Sequence, residues 1–334
     1  MELPKKFDQI EGAIGNTPLL EIRYKYKKMD RRIFAKAEYY NYTGSIKDRV
    51  ALYILKKAYV SGEIQPGATI VEATSGNTGI SFSALGRYLG HKVTIYMPDW
   101  MTKERISIME SFGARVRLVS KEEGGFLGAI SMTEKIGERP DVYLPRQFSN
   151  EDNVACHYYT TGEEISRQLF RLRLVADGFV AGVGTGGTVM GIGQRLKHQN
   201  RECMVFPLEP QNSPTLSTGY KTGQHRIYGI SDEFIPSIVK LDQLDDIVSI
   251  DDGDAIIMAQ MLSRIFGLGV GVSSGANFLG AVAAQNITGG RSVMTTVFAD
   301  DNKKYLSTDY VKEQKIESHH MSKDIELVDM IVHR

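Results

Sequence analysis

Lys47 stands in the stretch "NYTGSIKDRV" (41–50), in a Gly-Ser turn and ahead of Asp48 and Arg49. Val50, Ile54, Leu55 and Ala58 then recur at helical spacing, so the lysine sits where a loop becomes a helix. That end of a helix repels cations. The plainer reading is an exposed lysine near a helix end. The chemical reading is an amine held ready for a carbonyl group. Three glycine-rich segments bear on the choice. In "TSGNTG" (74–79) small residues let the backbone approach a ligand, and the N–H groups of a helix start face an anion such as a carboxylate. In "GVGTGGTVMG" (182–191), Gly184, Thr185, Gly186, Gly187 and Thr188 could wrap a phosphate. Gly182-x-Gly184-x-x-Gly187, with Glu209 further on, also fits a dinucleotide fingerprint, and a Walker A lysine is absent. In "GVGVSSGA" (269–276), Ser273 and Ser274 offer a hydroxyl to a ring nitrogen or simply cap a helix.

Each segment needs an element before and after it. "ATIVEAT" (68–74), "KVTIYMP" (92–98), "RVRLVS" (115–120), "DVYLP" (141–145), "GFVAGVG" (178–184), "MVFPLEP" (204–210) and "SVMTTVFAD" (292–300) read as strands. Helical patterns fall at 78–90, 102–113, 125–137, 188–199, 254–267 and 276–286. The fold class predicted is α/β: open, mostly parallel twisted sheets with helices on both faces. Ligands bind such sheets at the carboxyl ends of the strands, where the glycine segments lie. Residues 211–250 are rich in turn formers and read as a long functional loop. The polar last ~20 residues are expected to wrap a neighbour or fray.

Composition narrows the function. Lys+Arg and Asp+Glu are both 40 in 334 residues, so no global basic field exists for nucleic acid or an anionic membrane. No apolar run approaches the ~20 residues of a membrane span. "MELPKKFDQI" lacks the apolar core of a signal peptide. Two cysteines, Cys156 and Cys203, form no CxxC and point to a reducing, cytoplasmic setting. The seven histidines show no ligand spacing, His319-His320 falls in the polar tail, and no metal site is read.

An amine, a carboxylate cradle, a phosphate cradle and a hydroxyl together suit pyridoxal 5'-phosphate with an amino-acid substrate. The chain resembles the cysteine synthase family, O-acetylserine sulfhydrylase-like enzymes of fold type II. The motifs carrying the resemblance are "IGNTPLL", "GSIKDR", "EATSGNTG", "HYYTTGEEI", "GTGGT", "HRIYGI", "SSGA" and "DDNKKYLST", in that order. The resemblance implies two domains: a large cofactor-binding domain (1–40 plus 148–334) and a small mobile substrate-binding domain (41–147). It implies that Lys47 carries the cofactor and shuttles the α-proton, and that Asn77 meets the ring hydroxyl. Gly184, Thr185, Gly186, Gly187 and Thr188 would hold the phosphate, and Ser273 would face the ring nitrogen. Thr74, Ser75, Asn77, Thr78 and Gln147 would hold the substrate carboxylate, with Gly229 in the loop above it. A homodimer follows from the same resemblance.

The reaction implied is loss of a β-substituent to give α-aminoacrylate, then addition of a nucleophile. One loop departs from the family pattern. Gly-Ile-Gly-Ala-Gly-Phe is usual, whereas this chain reads Gly229-Ile230-Ser231-Asp232-Glu233-Phe234. Asp232 beside the β-carbon would repel hydrosulfide and could activate water as a general base. The expected reaction is then β-elimination and replacement on L-cysteine, releasing hydrogen sulfide and giving L-serine. The alternatives are ordinary cysteine synthesis from O-acetyl-L-serine and sulfide, addition of a larger amine or thiol, a non-catalytic binding protein, and a nicotinamide-dependent oxidoreductase resting on the 182–187 glycines. The solvated-edge reading is favoured for Glu233.

Overall fold

The computed structural model describes residues 4–231 and 233–334. In chain order the chain forms α1 (Lys6–Glu11), β1 (Leu19–Tyr26), β2 (Met29–Ala37), α2 (Lys47–Ser61), β3 (Thr69–Ala73), α3 (Asn77–Leu89), β4 (Lys92–Pro98), α4 (Lys103–Ser111), β5 (Arg115–Val119), α5 (Gly125–Gly137) and β6 (Val142–Tyr143). It continues through α6 (Asp152–His157), a π-helical turn (Tyr158–Gly162), α7 (Glu163–Arg171), β7 (Gly178–Gly182), α8 (Gly187–Gln199), β8 (Met204–Pro210) and α9 (Thr215–Thr218). It closes with β9 (Val248–Ile250), α10 (Asp252–Phe266), α11 (Val272–Ile287), β10 (Met294–Phe298) and β11 (Ile325–His333).

Two sheets result. The first runs β11-β1-β2-β10-β7-β8-β9 and the second β5-β4-β3-β6. The second is wholly parallel. The first is parallel from β2 to β9, with an antiparallel hairpin and β11 on one edge. Burial explains the division. Phe179, Val180, Ala181, Val205 and Phe206 are buried on successive positions, so β7 and β8 are covered on both faces. One face packs with α10 and α11 into a core containing Met258, Phe278 and Leu279. The other packs with α7 and α8 around Ile165, Val189 and Ile192. A third core joins α2 and α3 to β3 and β4 through Ile54, Phe82, Ile70 and Ile95.

The βα alternation was legible; the edge was not. Leu20, Ile22, Tyr24 and Tyr26 alternate with Glu21, Arg23 and Lys25, a strand pattern over 19–26. The turn that closes this hairpin hides it. Lys27 and Lys28 take φ of +50° and +67°, conformations where Asn-Gly is the usual signal. The tail also departs from the expectation of fraying. Asp254 accepts the Met321 and Ser322 N–H groups at 2.7 and 3.2 Å, and β11 then pairs along the whole of β1. Among its described residues, the 211–250 segment carries α9, a 3-10 turn at Leu241–Gln243 and the short β9, and is otherwise irregular.

Candidate active site

The helix α2 begins at Lys47 itself. Its two neighbours in sequence fix it from opposite sides. Asp48 is buried and accepts from Thr43 N–H at 2.7 Å, Thr43 Oγ1 at 2.6 Å and Ser81 Oγ at 2.7 Å, which ties the turn to α3. Burial pushes its carboxyl up. Arg49 forms ion pairs with Glu38 at 2.6 Å and Glu164 at 2.7 Å, which ties the turn to the seven-stranded sheet. Lys47 alone of the three points into a cleft. Its Nζ donates to Thr185 Oγ1 at 3.4 Å.

That cleft lies between the carboxyl ends of the two sheets and is open to solvent. Thr74, Ser75, Asn77, Thr78 and Gln147 line one side. Gly184, Thr185, Gly186 and Thr188 line the other, with Gly187 next to them starting α8, and Gly229 and Ser273 complete the wall. Every described residue expected to hold the cofactor or the substrate carboxylate therefore falls in or beside one cavity. Asp232 lies outside the described residues.

The parts are internally organised. Thr78 Oγ1 donates to Gln147 Oε1 at 2.6 Å, and Gln147 Nε2 donates to the Ala73 carbonyl at 3.0 Å. On the other side a Cβ at Gly184 would run into the Gly229 carbonyl, and one at Gly187 into the Asn153 amide. Glycine is what allows the loop to lie so close to its neighbours. Ser273 is not a cap: α11 is preceded by Gly271 and has no side-chain cap, so the Ser273 hydroxyl is left to the cavity. Ser274 faces away and accepts the Ala299 N–H at 3.1 Å.

Several supporting residues gave no signal of their own. Asn153 Nδ2 donates both to Thr185 Oγ1 and to the Gln147 carbonyl at 2.9 Å, so one amide joins the two sides. His157 is fully buried; its Nδ1 lies 2.9 Å from Thr161 Oγ1 and its Nε2 3.3 Å from Thr188 Oγ1. Burial lowers its pKa well below the ordinary range and keeps it neutral under the phosphate-type loop. Asp300, at the end of β10, accepts from Asn77 Nδ2 at 2.8 Å. "HYYTTGEEI" and "DDNKKYLST" contain His157 and Asp300, so the motifs marked the places without giving the contacts.

Away from the cleft, Asp251, His319 and His320 bring ligand-type atoms within 4.8 Å of one another. His320 Nδ1 accepts the Glu317 N–H at 3.1 Å, which places its proton on Nε2, 3.2 Å from Asp251 Oδ1. His320 thus ties the tail, through the Glu317 N–H and its approach to Asp251, to the N-terminus of α10.

Comparison with known proteins gives this geometry a family. Residues 10–300 match the family model of pyridoxal-phosphate dependent enzymes. The chain is 38% identical to a probable cysteine synthase of Bacillus subtilis over 297 residues, 89% of this chain and 95% of that one. A crystal structure of a hydrogen sulfide-producing enzyme from Fusobacterium nucleatum superposes with a TM-score of 0.95 at 60% identity, over 98% of this chain and 99% of that one. The D232N variant of a hydrogen sulfide-producing enzyme, in complex with an α-aminoacrylate intermediate, superposes with a TM-score of 0.96 at 59% identity, over 98% and 99% of the two chains. A cysteine synthase from Entamoeba histolytica gives 0.84 at 34% identity, over 97% and 96%.

The residues present fit that cofactor. An amine, a glycine-walled anion loop and a hydroxyl face one cavity, and Asn77 Oδ1 is buried there with no hydrogen-bond partner. A polar group of the ligand is what such an orphaned acceptor requires. The chain belongs to the pyridoxal-phosphate dependent enzymes of the cysteine synthase type.

Proposed function

We propose that this enzyme converts L-cysteine and water to L-serine and hydrogen sulfide. The carrying observation is the loop Gly229–Phe234, where an acid stands in place of the family's small residues. Ser231 donates its N–H to the Val183 carbonyl at 2.8 Å, directly below the anion loop, and Ile230 lines the cleft. Asp232 follows at once in sequence. The relative that produces hydrogen sulfide supports the reading, as does the D232N variant held with an α-aminoacrylate intermediate.

The division of labour follows from the side chains. Thr74, Ser75, Asn77, Thr78 and Gln147 hold the substrate carboxylate at the start of α3, where the free N–H groups and the helix dipole favour a negative charge. Gly184 to Thr188 hold the phosphate, and Ser273 meets the ring nitrogen. Lys47 Nζ carries the cofactor and then takes the α-proton. Pyridoxal phosphate, when bound, supplies the electron withdrawal that acidifies the Cα–H bond and lets the β-substituent depart. A neutral Ser273 hydroxyl would not hold the ring nitrogen protonated, which would favour prompt loss of the β-substituent. Asp232 would then accept a proton from water as it adds to the β-carbon, Lys47 would return its proton to Cα, and the proton on Asp232 would leave with hydrosulfide as hydrogen sulfide.

The same reading includes a small domain at 41–147 that moves against 1–40 plus 148–334, consistent with the two separate sheets. It also includes a homodimer, the commonest closed assembly. A cytoplasmic setting completes it, supported by two buried free thiols, Cys156 and Cys203.

The test is product analysis of the holoenzyme with L-cysteine: sulfide and serine in equal amounts are expected, with little pyruvate. Asp232→Asn should lower serine formation by roughly 10²–10⁴-fold while first-turnover sulfide persists. Faster synthesis of cysteine from O-acetyl-L-serine and sulfide than of serine from cysteine would make the enzyme a cysteine synthase instead.

A further inference from the structure

Arg105 is only 3% exposed, and among the described residues no carboxylate lies within ion-pair distance of it. Its Nε–H has no hydrogen-bond partner. A buried guanidinium is costly unless something replaces its hydration. Here two aromatic rings do so, helped by the Tyr305 hydroxyl and by attraction from the buried Asp300 carboxylate. The guanidinium carbon sits 4.9 Å from the centre of the Tyr228 ring and 5.1 Å from that of Tyr305. The rings stand 5.4 Å apart, so the cation rests on a tyrosine pair.

The three side chains come from opposite sides of the cleft. Arg105 belongs to α4, between β4 and β5 of the four-stranded sheet. Tyr228 lies in the β8–β9 connection and Tyr305 just after β10, both on the seven-stranded side. All three line the cavity that holds Lys47. Arg105 also lies against the substrate-side turn: a Cβ at Gly76 would come within 3.0 Å of its Nε.

A second path crosses the cleft from the same tyrosine. Tyr305 donates its hydroxyl to Asp300 Oδ2, and that oxygen also accepts from Asn77 Nδ2 at 2.8 Å. Asp300 is fully buried, and its other oxygen has no hydrogen-bond partner. Contacts therefore run from α4 through the tyrosine pair and Asp300 to Asn77 at the start of α3, the residue with an orphaned Oδ1 in the cofactor cavity.

We propose that Arg105 is a latch: a positioning residue that holds α4 and the Gly76 turn against the Tyr228–Tyr305 pair over the bound substrate, with Tyr305 and Asp300 passing that state to Asn77. A cation held by rings gains little from them once exposed to water, so the contact favours the closed cleft without locking it. Ordering of the carboxylate-binding turn and of the ring-hydroxyl contact would then come together. The inference holds whichever nucleophile adds at the β-carbon, so its failure and that of the serine-forming reading are distinguishable.

Arg105→Met removes the charge and keeps most of the apolar volume; Arg105→Lys keeps a cation without the planar face. Trp100 is the chain's single tryptophan and lies at the β4–α4 turn, so its fluorescence reports movement of α4. With retained melting temperature, Arg105→Met should raise KM for L-cysteine about tenfold with kcat within a few-fold, because only the competent fraction of the enzyme binds. The L-cysteine-induced Trp100 transient should shrink, and amide exchange over 74–78 should quicken even in the cofactor-free protein. Arg105→Lys should fall between the two. Tyr305→Phe keeps the ring and breaks the Asp300 bond, so it should speed cofactor release and shrink the Trp100 transient less than Arg105→Met does. If Arg105→Met fails to fold, Tyr228→Leu is the substitute and should move the same readouts in the same direction. Wild-type KM, Trp100 transient and exchange in the folded variant overturn the latch.

Discussion

Arg49 Nη1 lies 2.7 Å from Glu164 Oε1 across 115 positions of sequence, two residues after Lys47. The same guanidinium holds Glu38 through Nε at 2.6 Å, and Glu164 also pairs with Lys36 at 2.8 Å. This buried network is what lets α2 begin on a lysine. The repulsion at the helix start is overcome because the next two side chains are clamped, and Lys47 has no direction left except the cleft.

Removing the centre of that network should be severe. Arg49→Met leaves Glu38 and Glu164 buried without their main counter-charge, a change that typically costs about 3–5 kcal/mol. Urea unfolding of the holoenzyme and of the variant measures it. A loss under about 1 kcal/mol would show that the network is dispensable for placing Lys47.

The same network sets an acid limit. Although burial opposes it, hydrogen bonding and attraction from Arg49 and Lys36 hold the Glu164 carboxyl down at about 2. A lowered folded pKa contributes stability that is present above the unfolded value near 4.5 and is lost as pH falls toward about 2. Glu72 behaves oppositely. It is fully buried with no cation in contact, accepts only the Ala73 and Gln147 N–H groups, and is pushed up to about 8. Its contribution is complete below about 4.5 and is lost as pH rises through about 8. Unfolding free energy measured from pH 5 to 9 should therefore fall with pH. Glu72→Gln should flatten that slope whatever its own baseline, and an unchanged slope would assign the fall to another group.

Asn153 joins the two sides of the cleft through one amide, so its removal should weaken both. Each neutral hydrogen bond contributes about 0.5–1.5 kcal/mol. Asn153→Ala should lower cofactor affinity about tenfold, which is about 1.4 kcal/mol. Titration of the cofactor-free protein with pyridoxal phosphate reads this directly. Unaltered affinity would mean that Thr185 keeps its position without Asn153.

The chemistry was more legible than the scaffolding because the two are written differently in sequence. Lys47, the 184–188 glycines and the Thr74–Thr78 turn are contiguous, and their residue types state their tasks. Arg49–Glu164 and Asn77–Asp300 pair residues more than a hundred positions apart, and an arginine or aspartate in isolation reads as surface charge. The β1–β2 hairpin was concealed by one turn, where Lys27 and Lys28 occupy left-handed conformations. The β11 strand was concealed by a bulge opposite Arg23 and Tyr24, which breaks its alternation. Ser273 reads in sequence as either cap or ligand because both need a serine at a helix start; in the structure α11 follows Gly271 with no side-chain cap, and Ser273 lines the cavity.

His225 bears on the acid that distinguishes this loop. Its Nδ1 accepts the Ile227 N–H at 3.2 Å, which leaves the proton on Nε2, and that N–H donates to the Ser231 carbonyl at 3.2 Å. Burial lowers its pKa and keeps it neutral. The carbonyl it holds belongs to the residue before Asp232, and Ser231 itself stands at φ +54°, a conformation that needs external support. His225→Phe removes that support without touching Lys47 or the cofactor loops. If Asp232 is the base of the proposed serine-forming reaction, sulfide release from L-cysteine should stay within a few-fold of wild type, whereas serine formation should fall on the order of 10–10²-fold, the cost of misplacing a general base by about 1 Å. Pyruvate should rise in its place. Acidification should mimic the variant, because a second proton on Nδ1 would face the Ile227 N–H. The serine share should therefore be flat at and above the ordinary histidine range and fall below it. Equal losses of sulfide and serine in His225→Phe would place the defect in elimination, and would remove His225 from the support of Asp232.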